Sequence, residues 1–517
     1  MTSRGERLAL LGVMLLAAAL RLPALDRIPN GLIPDEALSG YDAYSIARTG
    51  RDAYGERLPL FPRSTARLHS LYIYLTVPFV AALGLDEWAV RLPSALAGIA
   101  TAFVLFAWLR EGFGATAGLL GAALLAVSPW HILLSRTGHD WNLVPLMAVL
   151  TVWLCSRALA GRAPFWLAGL AAGLSLYTYT PIRLWLPLLL LLIVATHWQE
   201  LRRRPRGALV FGVVLAALAA PPLAALLLTR EGIGRLSSVA AGGAGPSDAA
   251  LGFASRYARS FGPSFLLAPA TEPELHRLRA VGLLHPFEAA LASVGIAACL
   301  LRRERRALLP LLLVVAAPLA FALHRDAPDP ILAVVMLPWP QALAGIGGAW
   351  LIECSAALSA PLRAGLAAAA LVCVSIPLAR MGRDLFRQFP VYAAPAWGYG
   401  AREAIRTLEA RRAPGDVVRV DVGEKLIGSL ILFYTRLEPR VRHAEIGGLV
   451  GRSERSRAGA YWIGALPETR GAGSLVWTTR AGASRLGSAA RELESVRLPD
   501  GRERYVLLAL DPEARER

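Results

Sequence analysis

The sequence predicts a mainly α-helical, polytopic membrane protein with about eleven transmembrane helices and a small C-terminal α/β domain. Of its 517 residues, 55% are hydrophobic and only 18% are charged, and the mean hydropathy is +0.46. A soluble protein of this size could not bury so much apolar surface in a core, so a bilayer must receive it. Long apolar runs recur up to about residue 380 and then stop, which indicates a second domain.

Eleven apolar runs, bounded by Arg, Gly or Pro, are near the roughly 20 residues that a spanning helix requires. They cover about 8–25, 92–109, 115–133, 141–157, 165–180, 184–198, 208–228, 287–301, 307–323, 330–352 and 363–380. The shorter runs need flanking residues to cross a bilayer.

The first run could also be interpreted as a secretory signal peptide, because Arg4 and Arg7 precede it and alanines follow. We favour an uncleaved first span, since the polytopic body needs a segment that starts in the cytoplasm. Arg21 at its outer end would then reach the membrane interface by snorkelling.

Residues 70–84 are apolar but only about 15 residues long, and they contain Pro78. If this segment crossed the bilayer, the arginine runs at 202–206 and 302–306 would be extracytoplasmic, against the positive-inside rule. We therefore predict an interfacial helix here, within a first external loop that covers residues 26–91.

This topology puts the N-terminus in the cytoplasm and the C-terminal domain outside, in a protein of the inner (plasma) membrane. The net charge of +17 comes from short arginine runs between apolar segments, so no nucleic-acid partner is needed to explain it. The four cysteines lie in apolar stretches without paired or metal-type spacing, which predicts neither disulfides nor a zinc site.

The predicted domains are residues 1–380, in the membrane, and residues 381–517, outside it. In the second domain, helices are predicted at 400–411 and 424–436. Strands are predicted at 417–422, 460–464 and 474–480, and on both sides of the turn sequence Pro499-Asp500-Gly501.

Adjacent carboxylates on Asp35 and Glu36 follow Pro34 just beyond the first span. A solvated loop end is the ordinary interpretation of such a pair. At a low-dielectric boundary, however, a carboxylate can serve as a general base near neutral pH. One such base suffices for an inverting sugar transfer, in which an acceptor hydroxyl attacks the anomeric carbon without a covalent enzyme intermediate.

Asp140 begins the fourth span on the same predicted face, with Arg136 and His139 beside it. A helix start favours an acidic residue through the helix dipole, so a capping role is the alternative to a catalytic one. Tyr177 and Tyr179 could be interface anchors of the aromatic belt.

Arg183 is disfavoured on the outside unless it has an anionic partner, and a phosphate is the natural one. Arg67 is among the other outward basic residues that could bind lipid phosphate. His69, His276 and His285 are scattered along the sequence, and their spacing does not favour a metal site.

Five segments carry a family resemblance. They are PNGLIPDEALSGYDAYSIARTGRDAYGERLPLF, AVRLPSALAGI (89–99), SPWHILLSRTGHDWNLVPL (128–146), GLSLYTYTPIRLWLPLLLL (173–191) and RYARSFGPSFLLAPATEPELHRLRAVGLLHPFE (256–288). The chain resembles bacterial members of glycosyltransferase family 39, related to protein O-mannosyltransferases and lipid A aminoarabinose transferases. The likeness covers roughly residues 10–400, and its first and fourth segments are the most specific.

The resemblance implies a GT-C fold and an inverting transfer from a polyprenyl-phosphate-linked sugar to an acceptor protein, lipid or glycan. It implies catalytic roles for Asp35, Glu36 and Asp140, with Asp35 as the general base. Arg183, Arg136 and Arg67 would bind the donor phosphate, and the predicted substrate contacts are Tyr41, Tyr177, Tyr179 and His139. A divalent cation at the acids is compatible with the sequence but not implied by it, and no other cofactor is predicted.

The chain departs from the family pattern before the tenth span. Relatives often have Pro-His-x-x-Arg there, whereas HRDAPDPILAVVMLP places Asp329 and Leu332 near those positions. His324 and Arg325 would have to replace the missing contacts.

Two other classes of protein remain as alternatives, a multi-span transporter and a membrane-anchored scaffold with an external binding domain. A transporter usually has ionisable residues or broken helices near mid-membrane, whereas the polar residues here crowd one outer face. A scaffold would need neither eleven spans nor an acidic pair in its first loop.

Overall fold

The computed structural model describes the chain in ten segments, which fold into two compact units. The described residues are 3–65, 69–228, 233, 246–271, 275–302, 305–424, 427–448, 456–464, 474–487 and 490–510. Unit 1 consists of Met1–Pro23, Ala66–Tyr72 and Ser94–Asp384. Unit 2 consists of Ala24–Thr65, Ile73–Pro93 and Leu385–Arg517.

The described residues are mainly helical, as predicted. The α-helices are α1 (Arg4–Arg21), α2 (Pro34–Thr49), α3 (Leu71–Leu83), α4 (Glu87–Phe113), α5 (Ala115–Val127), α6 (Pro129–Ser135), α7 (Leu143–Leu159), α8 (Phe165–Ser175), α9 (Ile182–Thr196), α10 (Trp198–Arg202), α11 (Pro205–Leu228), α12 (Pro246–Arg259), α13 (Pro263–Leu266), α14 (Pro286–Leu301), α15 (Leu309–Ala316), α16 (Trp339–Ser355), α17 (Ala360–Arg383), α18 (Phe389–Tyr392), α19 (Ala401–Arg411), α20 (Ile427–Thr435), α21 (Pro439–Gly448) and α22 (Arg480–Leu486). Single 3₁₀ turns lie at Arg63–Thr65, Asp140–Asn142, Arg305–Leu308, Ala317–Ala320 and Leu332–Met336, and a π-helical turn at Asp384–Gln388.

Multi-span membrane character is confirmed, because five helical segments of the described residues are long and apolar enough to cross a bilayer. They are Glu87–Phe113, Asp140–Leu159, Pro205–Leu228, Leu332–Ser355 and Ala360–Tyr392, and the bent pair α5 and α6 would make a sixth. The other predicted spans form α1 and shorter apolar helices. The count of eleven spans therefore stays a prediction. The segment at 70–84 is a helix, α3, as predicted, and its position at the membrane surface stays a prediction.

Arg21 does not snorkel, and that prediction was wrong. Its side chain is fully buried in unit 1, where it donates hydrogen bonds to the carbonyls of Leu125 (3.1 Å) and Ala126 (2.8 Å). The bend of 63° between α5 and α6, where Pro129 starts a new helix, interrupts the helical hydrogen bonding at the end of α5, so its last carbonyls can accept from other donors. The Arg21 guanidinium donates hydrogen bonds to those carbonyls. An arginine of α1 therefore stabilises the packing of the third predicted span.

Unit 2 contains a six-stranded mixed sheet near the C-terminus. Its strands are β1 (Val417–Asp421), β2 (Ser456–Ala458), β3 (Tyr461–Ile463), β4 (Ser474–Thr478), β5 (Ala490–Arg497) and β6 (Glu503–Leu510), in the spatial order β2-β3-β1-β4-β6-β5. β1 pairs in parallel with β3 and β4, and the other pairs are antiparallel. All the predicted strands and both predicted helices of this region are confirmed, as α19, α20 and five of the six strands.

The first external loop and the C-terminal sheet share one hydrophobic core inside unit 2. Buried side chains of α2, such as Tyr41, lie in the same cluster as Phe433 of α20 and Trp477 of β4. α2 approaches α20 so closely that a Cβ at Gly40 would lie 2.9 Å from the Phe433 ring. The predicted boundary between residues 380 and 381 stays a prediction, but the sheet shares its core with residues far upstream.

Two buried aspartates fix the loop that follows α2. Asp42 is fully buried, accepts a hydrogen bond from the Ala53 amide (2.7 Å) and contacts the Ser64 hydroxyl. Asp52 accepts hydrogen bonds from the amides of Tyr54 (3.0 Å) and of Glu56 (2.9 Å). The loop is thus held against α2 by side chains that the apolar patterning of the sequence did not single out.

Burial raises the pKa of Asp42 to about 7, and its hydrogen bonds to Ser64 and Ala53 only partly oppose the shift. The folded protein therefore holds a proton that the unfolded chain releases near its ordinary pKa of 3.8. The contribution of Asp42 to the free energy of unfolding should be complete below about pH 4 and should be lost as the pH rises through about 7. Thermal midpoints measured across this range should fall with pH in the wild type, and Asp42→Asn, which mimics the protonated acid, should flatten that slope. An unchanged slope in the variant would contradict the assignment.

Candidate functional site

The predicted catalytic residues lie in both units. In unit 2, Pro34 starts α2 and places Asp35 and Glu36 in the first helical turn. Asp35 is exposed, and the described residues offer its carboxylate no hydrogen bond or ion pair. A proton acceptor that must meet an incoming hydroxyl needs this accessibility.

Glu36, in contrast, is fully buried and bound by Arg91. The Arg91 guanidinium donates to Glu36 Oε1 at 2.9 Å and to Oε2 at 3.0 Å, and neither side chain is exposed. Arg91 also donates to the carbonyls of Leu25 and Pro29, each at 2.9 Å. This bidentate pair fixes the start of α2, and with it the position of Asp35.

Tyr41 lies one further turn along α2 and is buried in unit 2. Its hydroxyl donates to the carbonyl of Leu437 at 2.9 Å, and burial raises its pKa. The structure thus gives its hydroxyl a structural partner, and its predicted contact with substrate stays a prediction.

In unit 1, Asp140 is held between two imidazoles. Its Oδ2 lies 3.0 Å from Nδ1 of His69, and its Oδ1 contacts Nδ1 of His139. The other ring nitrogen of His69 lies 3.0 Å from the hydroxyl of Thr180. All three charged or titratable side chains are largely shielded from solvent, which strengthens the electrostatic interactions among them.

Aromatic rings surround this carboxylate. The His139 ring stacks on Trp141, with centroids 3.7 Å apart and planes 10° apart. Tyr179 and His276 each meet Trp141 edge to face, at 6.3 and 5.1 Å. Burial lowers the pKa of His276 to about 3, so its imidazole is neutral at physiological pH. The cluster combines one oriented carboxylate with polarisable rings and neutral imidazole.

Arg136 and Tyr177 make mainly structural contacts. Arg136 is fully buried, and its guanidinium donates to the carbonyls of Leu20, Arg21 and Pro23 at 3.1, 3.1 and 2.7 Å, the end of α1. The Tyr177 hydroxyl donates to a carbonyl of α11 at 2.9 Å.

Arg183 is buried at the start of α9, with its Nε 3.4 Å from the carbonyl of Leu176. Arg67 lies outside the described residues. Whether these residues bind a phosphate stays a prediction.

Sequence reasoning found Asp140, His139 and Tyr179 but did not join His69 or His276 to them. A histidine two residues before the start of α3 was the available signal for His69. Arg91 was singled out only as part of the segment AVRLPSALAGI, not as a partner of Glu36. Among the described residues, no group of three or more His, Cys, Asp or Glu side chains has a geometry that could hold a metal ion.

The chain is similar to several known proteins. Residues 69–224 match the family model described as dolichyl-phosphate-mannose-protein mannosyltransferase. YkcB and YycA of Bacillus subtilis (strain 168), both provisionally assigned as mannosyltransferases, are 29% identical over 84 residues and 31% identical over 87. These matches cover 16% and 17% of this chain but only 12% of each relative.

The structure of ArnT from Cupriavidus metallidurans bound to undecaprenyl phosphate superposes over 99% of both chains, with a TM-score of 0.58 and 16% identity. The resemblance to the GT-C glycosyltransferases is confirmed. A second protein with this fold is the oligosaccharyltransferase AglB from Archaeoglobus fulgidus, in complex with an inhibitory peptide and a dolichol-phosphate. It matches 83% of this chain and 63% of its own, at a TM-score of 0.51 and 12% identity. The similarity to the ArnT fold therefore extends over both units of the chain.

Proposed function

We propose that the protein is an integral-membrane glycosyltransferase of the inner (plasma) membrane that moves a sugar from a polyprenyl-phosphate donor to an acceptor hydroxyl on the extracytoplasmic face. The observation that carries this proposal is the match to ArnT over nearly the full length of both chains, with undecaprenyl phosphate bound in that structure. The acceptor is a protein, a lipid or a glycan.

The proposed reaction inverts the anomeric centre in one displacement. The acceptor oxygen attacks the anomeric carbon, and Asp35 accepts the proton of the acceptor hydroxyl. The bond between the anomeric carbon and the phosphate oxygen breaks, and polyprenyl phosphate leaves with the electron pair. Asp35 suits this step because its carboxylate is exposed and no cation among the described residues competes for it. Glu36, in contrast, is already paired with Arg91 and serves as a positioning residue.

Asp140 is proposed to orient the sugar or stabilise positive charge at the anomeric carbon. Its Oδ2 lies 3.0 Å from the imidazole Nδ1 of His69, so the carboxylate has a fixed direction before substrate binds. The ring of Tyr179, which is only half-buried, suits the apolar face of a sugar ring.

Among the predicted phosphate ligands, Arg183 is the leading candidate, because the Arg136 guanidinium already serves three carbonyls. A cation at the leaving phosphate would neutralise the charge that develops as the bond breaks. Arg67 remains part of this proposal.

Membranes incubated with a panel of radiolabelled polyprenyl-phosphate sugars should transfer label to an endogenous acceptor. Asp140→Asn is expected to lower the transfer rate by about 10²-fold, because the amide lacks the negative charge that would orient the sugar or stabilise positive charge at the anomeric carbon. Asp500→Asn is the control, since this exposed aspartate pairs with Arg502 and belongs to unit 2, outside the cluster. Uptake of free solute into vesicles without label transfer would favour a transporter instead.

A further inference from the structure

A polar cavity of about 260 Å³ lies in unit 1 at the end of α7 that is remote from Asp140. Its lining includes Trp108, Glu111, Trp153, Arg162, His197 and Arg302. Asp140 and Leu159 are the two ends of one 20-residue helical segment. At 1.5 Å per residue they are separated by about 30 Å, so the cavity is distinct from the candidate catalytic cluster.

The carboxylate of Glu111 in this cavity is neutralised by neighbouring arginines. Its Oε1 accepts hydrogen bonds from Arg157 at 2.7 Å and from the Trp153 indole at 3.3 Å. The guanidinium of Arg162 lies 3.8 Å from Oε2. Glu200 is the second lining carboxylate.

Arg302 supplies positive charge on another side of the cavity. Its guanidinium lies 5.5 Å from the centre of the Phe113 ring, and the described residues give it no ion pair with a carboxylate. A guanidinium in that setting can bind a phosphate group through two hydrogen bonds.

An apolar groove of about 140 Å³ adjoins the polar cavity, because Leu159 lines both. The groove is formed by side chains such as Cys155, Phe165, Ile193 and Phe211 from α7, α8, α9 and α11. A ligand that fills both spaces must carry an anionic head and a hydrocarbon chain.

The membrane side of the cavity follows from the arginines at this end of the helices. Arg157, Arg162, Arg302 and the run at 202–206 all belong to it, and the positive-inside rule assigns such an end to the cytoplasm. Trp108 and Trp153 are residues typical of the headgroup level. The cavity thus opens at the cytoplasmic leaflet.

We propose that the polar cavity and the adjoining groove bind a glycerophospholipid of the cytoplasmic leaflet, with its phosphodiester against Arg302 and an acyl chain in the groove. The lipid would join the inner ends of α4, α7 and α9, on the opposite side of the membrane from the proposed transfer. The site does not depend on the proposed function, because binding is measured without any sugar donor.

The test is a titration of the delipidated, detergent-purified full chain with dioleoyl phosphatidylglycerol, followed by native mass spectrometry. Arg302→Glu should weaken binding of the first lipid by about tenfold or more, which corresponds to about 1.4 kcal/mol. Leu159→Trp should weaken it as well, by filling the junction of cavity and groove. Arg363→Glu is the matched control, because this exposed arginine is predicted on the same membrane side but lines neither space.

Competing ligands distinguish binding of a lipid phosphodiester from binding of a free phosphate group. Excess inorganic phosphate or glycerophosphoglycerol should leave the first lipid bound, since neither fills the groove. Equal first-lipid affinity in Arg302→Glu, Leu159→Trp and wild type would overturn the proposal, as would displacement by inorganic phosphate alone. Stronger binding of undecaprenyl phosphate than of phosphatidylglycerol would assign the site to a polyprenyl lipid instead. If the charge reversal prevents folding, Arg302→Gln replaces it, and the same outcomes apply.

Discussion

Asp35→Asn is expected to lower the rate of sugar transfer by about 10²–10⁴-fold, the range typical for loss of a general base. The amide keeps the size and helix-starting position of the carboxylate but cannot accept the proton of the acceptor hydroxyl. The effect should fall on kcat, since the donor phosphate is assigned to other residues. The measurement is transfer of radiolabelled sugar from polyprenyl phosphate, at saturating donor, to purified acceptor or endogenous membrane acceptor.

Asp26→Asn provides the matched control for this experiment. Asp26 belongs to the same external loop, and its exposed carboxylate pairs only with the neighbouring Arg27, at 3.3 Å, among the described residues. Transfer should be nearly unchanged in this variant. Wild-type transfer rates in Asp35→Asn, with Asp140→Asn still impaired, would remove Asp35 from the mechanism while leaving the transferase proposal in place.

The helices and strands could be predicted from sequence because each depends on local patterning. The apolar run of α11 and the alternation in β1 were readable from neighbouring residues alone. Pairings between residues far apart in the sequence leave no local pattern of this kind. Glu36 and Arg91 are 55 positions apart, and nothing local indicates that one neutralises the other.

The predicted roles of the arginines show the same limit of local reasoning. Topology rules treat an arginine near a membrane surface as facing water, lipid or phosphate. Arg21 and Arg136 instead donate to backbone carbonyls at helix ends, because helix termini leave carbonyls that need donors inside an apolar body. Such carbonyls become visible only when the helices are packed together.

The cluster around Asp140 was predictable in part for a related reason. Asp140 and His139 are neighbours in sequence, so their pairing was foreseeable, whereas His69 reaches Asp140 only through the fold. In unit 2, likewise, the Tyr41 hydroxyl donates to the carbonyl of Leu437, and this pairing of residues far apart in the sequence arises only through the fold.

Arg91→Met is expected to destabilise unit 2 by about 3–5 kcal/mol, the usual cost of removing one partner of a buried ion pair. The substitution leaves the Glu36 carboxylate buried without its cation and deprives the carbonyls of Leu25 and Pro29 of their donor. Trp397, whose ring lies 5.9 Å from the Arg91 guanidinium, is a buried local reporter. Its fluorescence during thermal unfolding in detergent, compared with Trp397→Phe, should show a lower midpoint for this unit.

The double variant Arg91→Met/Glu36→Met separates the charge from the packing. Both charges are then absent, so the double variant should be more stable than Arg91→Met alone, although the carbonyls still lack a donor. Arg48→Met is the matched surface control, because Arg48 pairs with Glu438 at 3.3 Å with both side chains largely exposed, and it should change the midpoint little. If Arg91→Met and Arg48→Met shifted the midpoint equally, the Glu36 pair could not be what fixes the start of α2, and the positioning of Asp35 would need another source.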